Sequence, residues 1–274
     1  MTLTNRMNLP DGIVQAVTND PYTRGSSDIS VTQLIQPPYQ RKLRETVEQI
    51  EDVSDRIWSL IGQSVHTILE RAYKGKGLVE ERLYADALGW KVSGQFDVIE
   101  NGCLMDYKVT SVWAIKGDTK IEWEQQLNLL RLLAHENGIE VTSLKIIAIL
   151  RDWSKGKANG PDYPEVQVVP INIQMWTLEQ TREYMLERVK LHQQSEPQPC
   201  TAVERWQTQD VYAVMKDGRK SAVKLHYSPA EAREQCFELG KGHTVAHRPG
   251  LYRRCADYCN VSHECPEFQR GLAF

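Results

Sequence analysis

The chain of 274 residues has no apolar run approaching the roughly 20 residues that a membrane-spanning helix needs. Its first residues, Met1 to Asn8, carry no apolar signal-peptide core. A cytoplasmic protein is the expectation, and in that reducing compartment the six cysteines are not expected to pair as structural disulfides. Neither charge is in excess: Lys and Arg total 33 against 36 Asp and Glu, a net charge of −3. That balance argues against a protein that coats nucleic acid, but leaves room for a local groove that grips a few phosphates. No Gly-x-x-x-x-Gly-Lys-Ser/Thr segment is present, which fits a stand-alone module, and no internal repeat is visible. What remains is the composition of an ordinary soluble protein, long enough for one large domain or for a core with an appendage.

Turn residues crowd the start (Pro10-Asp11-Gly12, Asn19-Asp20-Pro21, Gly25-Ser26-Ser27) and predict an irregular arm over 1–28. Residues 29–35 offer a strand end or a short capped helix, stopped by Pro37-Pro38. From 41 to 73 the spacing is helical and free of proline, with Ile57, Leu60, Ile61, Val65, Ile68 and Leu69 on one stripe. Strands are expected at 79–86, 91–99 and 103–110, the last two joined by the turn Glu100-Asn101-Gly102. A helix over 122–137, a buried strand at 144–150, a strand at 165–173 and a helix over 177–194 follow. This order predicts an α/β core with a mixed central sheet flanked by helices, over 29–195. The proline-rich stretch at 195–199 marks a boundary. Beyond it, 196–274 holds a hairpin over 211–227 turning at Asp217-Gly218, a helix over 229–239 and a cysteine-rich tail.

Chemistry concentrates on the expected strand 103–110. Strand alternation puts Asp106 and Lys108 on one face, and Asp97 on the partner strand can reach that face. Two converging carboxylates are costly unless a divalent cation sits between them, and hard oxygen ligands suit Mg²⁺ or Mn²⁺. A lysine beside that cation orients or deprotonates water and stabilises charge developing on a phosphate. The triplet alone more often marks a solvated strand face carrying an ion pair. A second such triplet, Asp118-Thr119-Lys120, follows Gly117 in an expected loop and is set aside. Met105, Tyr107 and Val109 supply the other strand face, and Gly94 leaves space where a substrate backbone can approach.

The order of motifs adds weight. Gly62-Gln63-Ser64-Val65-His66 through Glu70 lies on the long helix, and Gly94-Gln95-Phe96-Asp97 on the hairpin. Asp106-Tyr107-Lys108-Val109-Thr110 follows on the next strand, then Glu124-Gln125-Gln126-Leu127-Asn128 on the next helix. Over about residues 29–175 this series resembles the RecB-like branch of the PD-(D/E)XK nuclease superfamily. The resemblance implies a restriction-endonuclease-like core that hydrolyses phosphodiester bonds in DNA with Mg²⁺ or Mn²⁺. It implies metal ligation by His66, Asp97, Asp106 and the backbone carbonyl of Val109, with Lys108 as catalytic lysine. Gln126 corresponds to the glutamine of the family's Gln-x-x-x-Tyr motif, although the tyrosine position is Leu130 here and Gln125 remains an alternative. Glu81, on the preceding strand, is a further carboxylate near the site. Taken alone, a histidine placed like His66 on a helix is more often packed or capping than a ligand.

In the tail, Cys255, Cys259 and Cys265 crowd into a short stretch, and Cys200 stands ready as a fourth ligand after the boundary. Thiolates so close in a reducing compartment usually share a metal. Four thiolates suit a [4Fe–4S] cluster, and three with His263 suit a structural Zn²⁺. The resemblance favours the cluster, which related nucleases hold with one cysteine before the core and three in the tail. This chain differs in carrying its lone cysteine after the core. Cys103 and Cys236 read as packed thiols. The same region carries Lys216, Arg219, Lys220, Lys224, Arg253 and Arg254, a candidate DNA-binding patch, with Trp206, Tyr212 or Tyr252 for base stacking. A solvated hairpin face explains those cations equally well.

The expectation is therefore a DNA nuclease, an exonuclease of phage or mobile-element recombination, repair or replication, working in the host cytoplasm. Its partners would be DNA, further copies of itself or recombination proteins, and no membrane. The alternative is a non-catalytic nucleic-acid-binding module that keeps the fold and a structural metal clamp.

Overall fold

A computed structural model of the chain describes residues 2–19, 25–117, 119–158 and 160–271. It divides into two compact units, 1–41 with 48–197, and 42–47 with 198–274.

The first unit begins with β1 (Thr2–Thr4), α1 (Asp11–Thr18), β2 (Ile29–Ser30), α2 (Val31–Leu34) and α3 (Pro38–Thr46), whose last residues belong to the second unit. There follow β3 (Ile50–Asp52), α4 (Ile57–Tyr73), β4 (Leu78–Val79), β5 (Arg82–Ala87), β6 (Trp90–Gln95), β7 (Val98–Glu100) and β8 (Cys103–Thr110). The unit ends with α5 (Ile121–Glu136), β9 (Ser143–Leu150), β10 (Val168–Asn172) and α6 (Leu178–His192).

Among the described residues the main sheet has the order β10-β9-β8-β7-β4. Its centre, β8 beside β9, is parallel, and the other pairs are antiparallel. A second sheet, β2-β6-β5, joins β2 to β6 in parallel and β6 to β5 antiparallel. The architecture is thus mixed α/β, with mixed sheets flanked by helices. Helix α5 runs through the core: Leu127, Leu129, Leu130, Leu132 and Leu133 are buried with Ile29, Phe96, Leu104, Ile146 and Met185. Its apolar residues cover most of its circumference, as suits a helix packed on several sides.

Several expectations from sequence need correction. The start is not an irregular arm, because β1 pairs in parallel with β3 and α1 forms a helix; residues 20–24 lie outside the described part. The expected helix over 41–73 is interrupted between α3 and α4. Asp52 causes the break: buried, it caps the short helical turn at Val53–Arg56 and accepts from the Arg6 amide, the Thr4 hydroxyl and Ser54. Those bonds hold its carboxyl well below the ordinary carboxylate range. The apolar stripe of α4 is only partly covered, since Ile61 and Ile68 are exposed. The expected strand over 91–99 divides at Phe96-Asp97 into β6 and β7, which belong to different sheets. Helices α5 and α6 and strand β9 match their expected positions closely. So does the turn, with Asn101 and Gly102 both at positive φ, 49° and 73°.

Gly94 serves packing rather than substrate approach. A Cβ there would stand 2.4 Å from Leu130 Cδ2, so the glycine lets α5 lie against β6. Leu130, where the resembled motif has tyrosine, is buried in that contact.

The second unit contains β11 (Val211–Lys216), β12 (Lys224–His226), α7 (Pro229–Leu239), β13 (His243–Arg248), α8 (Arg253–Asp257) and α9 (Pro266–Gly271). The expected hairpin is β11–β12, and β13, which sequence did not suggest, pairs along the other side of β11.

Candidate active site

The division of the strand at Asp97 builds the centre. Val98 pairs with Met105, so Asp97, one residue earlier, comes up beside Asp106 of β8. The amide of Tyr107 donates to Asp97 Oδ2 at 2.6 Å, fixing that carboxyl. Asp97 and Asp106 are buried, at 8% and 2% exposure. Burial, then the neighbouring Asp106 charge, pushes the Asp97 carboxyl up to about 7 against the opposing pull of His66 and Lys108. Such a group holds a proton that a cation can replace.

Asp106 and Lys108 share a face of β8, and Lys108 Nζ lies 2.7 Å from Asp106 Oδ2. At that distance the ammonium is the charged partner of the buried Oδ2, and the bond between them helps keep Lys108 protonated. Burial works against the Lys108 ammonium, but Asp106 and Asp97 outweigh it and hold its pKa above the ordinary lysine value. Gln126, from α5, donates through Nε2 to Asp106 Oδ1 at 3.1 Å. Between the two glutamines considered from sequence, Gln126 is the one that reaches the centre. Val109 continues β8 opposite Ile149 of β9.

From the other side, α4 delivers His66. Its Nδ1 stands 3.1 Å from Glu80 Oε1 and 3.4 Å from Asp97 Oδ1. Hydrogen bonding to Glu80 raises its pKa above the ordinary histidine value, burial opposes, and Asp97 adds to the rise. Tyr73, about two turns further along the same face of α4, shares a 2.8 Å hydroxyl bond with Tyr107, which ties the helix to β8.

Glu80 is the residue that sequence reading missed. It lies between β4 and β5 at φ 52°, and its amide donates to the Asp97 carbonyl. Its Oε2 accepts from Gln95 Nε2 at 2.7 Å, and Gln95 Oε1 accepts in turn from Arg82. Ligand atoms of His66, Glu80 and Asp97 all lie within 4.8 Å of one another. Glu81, named from sequence, is exposed instead. Read as one uninterrupted strand, 79–86 assigns the wrong parity; the left-handed residue resets it and sends Glu80 inward.

In the second unit, backbone bonds lay 205–208 against 251–254: Thr208 N to Leu251 O, Arg253 N to Trp206 O and Arg254 N to Arg205 O. This pairing carries Cys200 toward Cys255. Burial, with Glu204 and the Cys255 and Cys265 thiols nearby, pushes Cys200 up to about 12. Cys255 is raised in the same sense by burial and by Cys259 and Cys265. All four are free thiols of intermediate burial, as are Cys103 and Cys236, which are less packed than expected.

The basic residues there are not one open patch. Lys216, Arg219, Lys220 and Lys224 are exposed on the β11–β12 hairpin. Arg253 pairs with Asp257 at 3.5 Å, while Arg254 donates to the Glu204 carbonyl and lies over Trp206. The candidate stacking rings each have a neighbour: Trp206 packs with Tyr258, Tyr212 with His247, and Tyr252 lies beneath Arg205. Asp118, of the triplet set aside, lies outside the described residues.

No protein-family model matches the chain, and no curated protein matches it. Among solved structures, the chain is similar to that of SSO0001, at 16% identity and TM-score 0.48, over 70% of this chain and 89% of that one. It is also similar to a protein from Eubacterium rectale provisionally named an exonuclease, at 11% identity and TM-score 0.31, over 52% and 63% of the two chains. Both likenesses fall below the level that establishes a shared fold. Among the described residues, no helix is long and apolar enough to cross a membrane.

Proposed function

We propose that the chain is a metal-dependent DNA nuclease of the RecB-like PD-(D/E)XK kind, with a restriction-endonuclease-like core. One observation carries this reading: Asp97, Asp106, Lys108, Gln126 and His66 meet at one centre, although they come from four separate elements. The donor set fits Mg²⁺ or Mn²⁺. The buried Asp106 carboxylate, 2.7 Å from the Lys108 ammonium, sits beside a second carboxyl driven up to about 7. Hard oxygens with one imidazole suit these ions. His66, Asp97, Asp106 and the Val109 carbonyl would hold the ion, with Glu80 as an additional donor.

Bound there, the cation would lower the pKa of water and polarise the phosphoryl oxygen. Hydrolysis adds water across phosphorus: a new P–O bond forms, the ester P–O bond breaks, and the departing oxygen takes a proton. Lys108, held as an ammonium by Asp106 and Asp97, serves as a charged donor to the attacking water or the phosphate. Gln126 fixes the Asp106 carboxyl. Tyr107, through its amide, fixes Asp97.

Cys200 and Cys255, raised first by burial and then by neighbouring charges and thiols, would release protons readily only to a cation, which favours a structural metal at the cysteine group. A [4Fe–4S] cluster is our reading of that site, and Zn²⁺ is the alternative. Phage or mobile-element recombination, repair or replication, with further copies or recombination proteins as partners, is the setting we propose.

The test is digestion of end-labelled single- and double-stranded DNA with Mg²⁺, Mn²⁺ or EDTA. We expect divalent-dependent degradation that falls on the order of a hundredfold or more in Asp106→Ala. Digestion of neither substrate, with Asp106→Ala indistinguishable from the parent, would leave the non-catalytic binding module in its place.

A further inference from the structure

The parallel pair β8–β9 ends in a group of exposed indoles and cations that the chemistry above does not use. The Arg151 amide, just past β9, donates to the Thr110 carbonyl at the end of β8, and Asp152 Oδ1 accepts from the Val112 amide. These bonds bring the exits of both strands together. From one exit projects Trp113, 76% exposed, with Lys116 Nζ 4.9 Å from its ring centre. Over the other, the Arg151 guanidinium lies 4.1 Å from the ring centre of Trp58, on the first turn of α4 and 52% exposed. Lys155 and Lys157 follow in the same loop, both exposed.

Trp58 and Trp113 each leave half or more of an indole in water, one beside each of the two adjoining strand exits. The cations select the occupant. A guanidinium resting on an indole is pre-positioned for a phosphate, and flat rings accept any base face without regard to sequence. The place also fits. Trp58 is eight residues before His66, about 12 Å along the helix. Thr110 is two residues beyond Lys108, roughly 7 Å along the strand. A strand of nucleic acid seated here would run directly onto the carboxylates.

We propose that Trp58 with Arg151, and Trp113 with Lys116, form a stacking seat for the unpaired bases of single-stranded DNA, and so supply the strand to the centre. This rests on the proposed nuclease reading for its purpose, though not for its measurement. Double-stranded DNA offers these rings no base faces except at its ends, so the seat favours single strands.

The experiment is fluorescence anisotropy of the full chain with a labelled oligothymidine strand in EDTA, where no hydrolysis occurs. Trp58→Ala and Trp113→Ala are each expected to weaken binding about tenfold. Trp113→Phe should recover most of the loss, and Phe237→Ala, another exposed ring in the second unit, should lose nothing. Circular dichroism of each variant should match the parent. Unchanged affinity in both alanine variants overturns the proposal, as does a loss of self-association in place of DNA binding, which would assign the surface to a second copy. The two readings fail separately. A parent that binds through these rings but digests nothing keeps the seat and loses the nuclease; a parent that digests while both variants bind normally does the reverse.

Discussion

At the scale of single residues, most of the centre was legible and one member was not. Asp97, Asp106 and Lys108 could be found because strand parity is a local property, and His66 and Gln126 because their order along the chain resembles a known series. Glu80 was hidden by its own backbone. A non-glycine residue at φ 52° breaks the alternation on which parity depends, and only the bonds from Gln95 and to His66 show which way it faces. The two glutamates therefore separate cleanly. Glu80→Gln is expected to weaken Mn²⁺ affinity by about tenfold or more, while Glu81→Gln leaves it unaltered, as read by thermal shift across a Mn²⁺ titration. Lys108 separates binding from chemistry. Lys108→Gln should cut the rate of DNA cleavage on the order of a hundredfold while Mn²⁺ binding persists, because its role is charge on the water or phosphate and not ligation.

Among the elements, sequence located α5, α6, β8 and β9 well because each carries its own period and its own stop signals. It failed where long-range pairing decides. Nothing near residue 50 announces that β3 will pair with β1, or that Asp52 will be capped from Thr4 and Arg6, so one long helix was expected where two stand. The packing of α6 on α2 is likewise non-local, and it has a measurable signature. His192, at the end of α6, bonds the Leu34 carbonyl at the end of α2, beside Arg188 bonded to the same oxygen. Burial first, then the Arg188 and Arg41 charges, hold His192 down at about 4 against the pull of Leu34. The unfolded chain takes up that proton near its ordinary value of 6.5, the folded chain only near 4. Stability is thus complete above the ordinary value and is lost as pH falls toward 4, by up to roughly 3 kcal/mol. Denaturant midpoints across that window should fall in the parent and flatten in His192→Gln, which keeps a donor and cannot ionise. Parallel curves would remove the histidine from the account.

For the molecule as a whole, the sequence offered no membrane-spanning run and its charge argued weakly against nucleic-acid coating, but neither said how two compact units divide the work. The first holds the carboxylates and the exposed indoles. In the second, the pairing of 205–208 with 251–254 brings Cys200 near Cys255, a juxtaposition that spacing alone suggested without explaining. If those thiols hold a cluster, anaerobically purified protein is expected to be brown and to contain iron and sulfide, both lost in Cys255→Ser together with protease resistance after residue 198. Stoichiometric zinc without colour would select the alternative. The central claim, that His66, Asp97 and Asp106 form one divalent-cation site, is tested most directly by electron paramagnetic resonance of Mn²⁺ titrated into metal-free full-length chain. One tightly bound ion per chain is expected, its affinity lowered at least about tenfold in Asp97→Asn and in His66→Ala. Parent-like binding in both variants would contradict the claim.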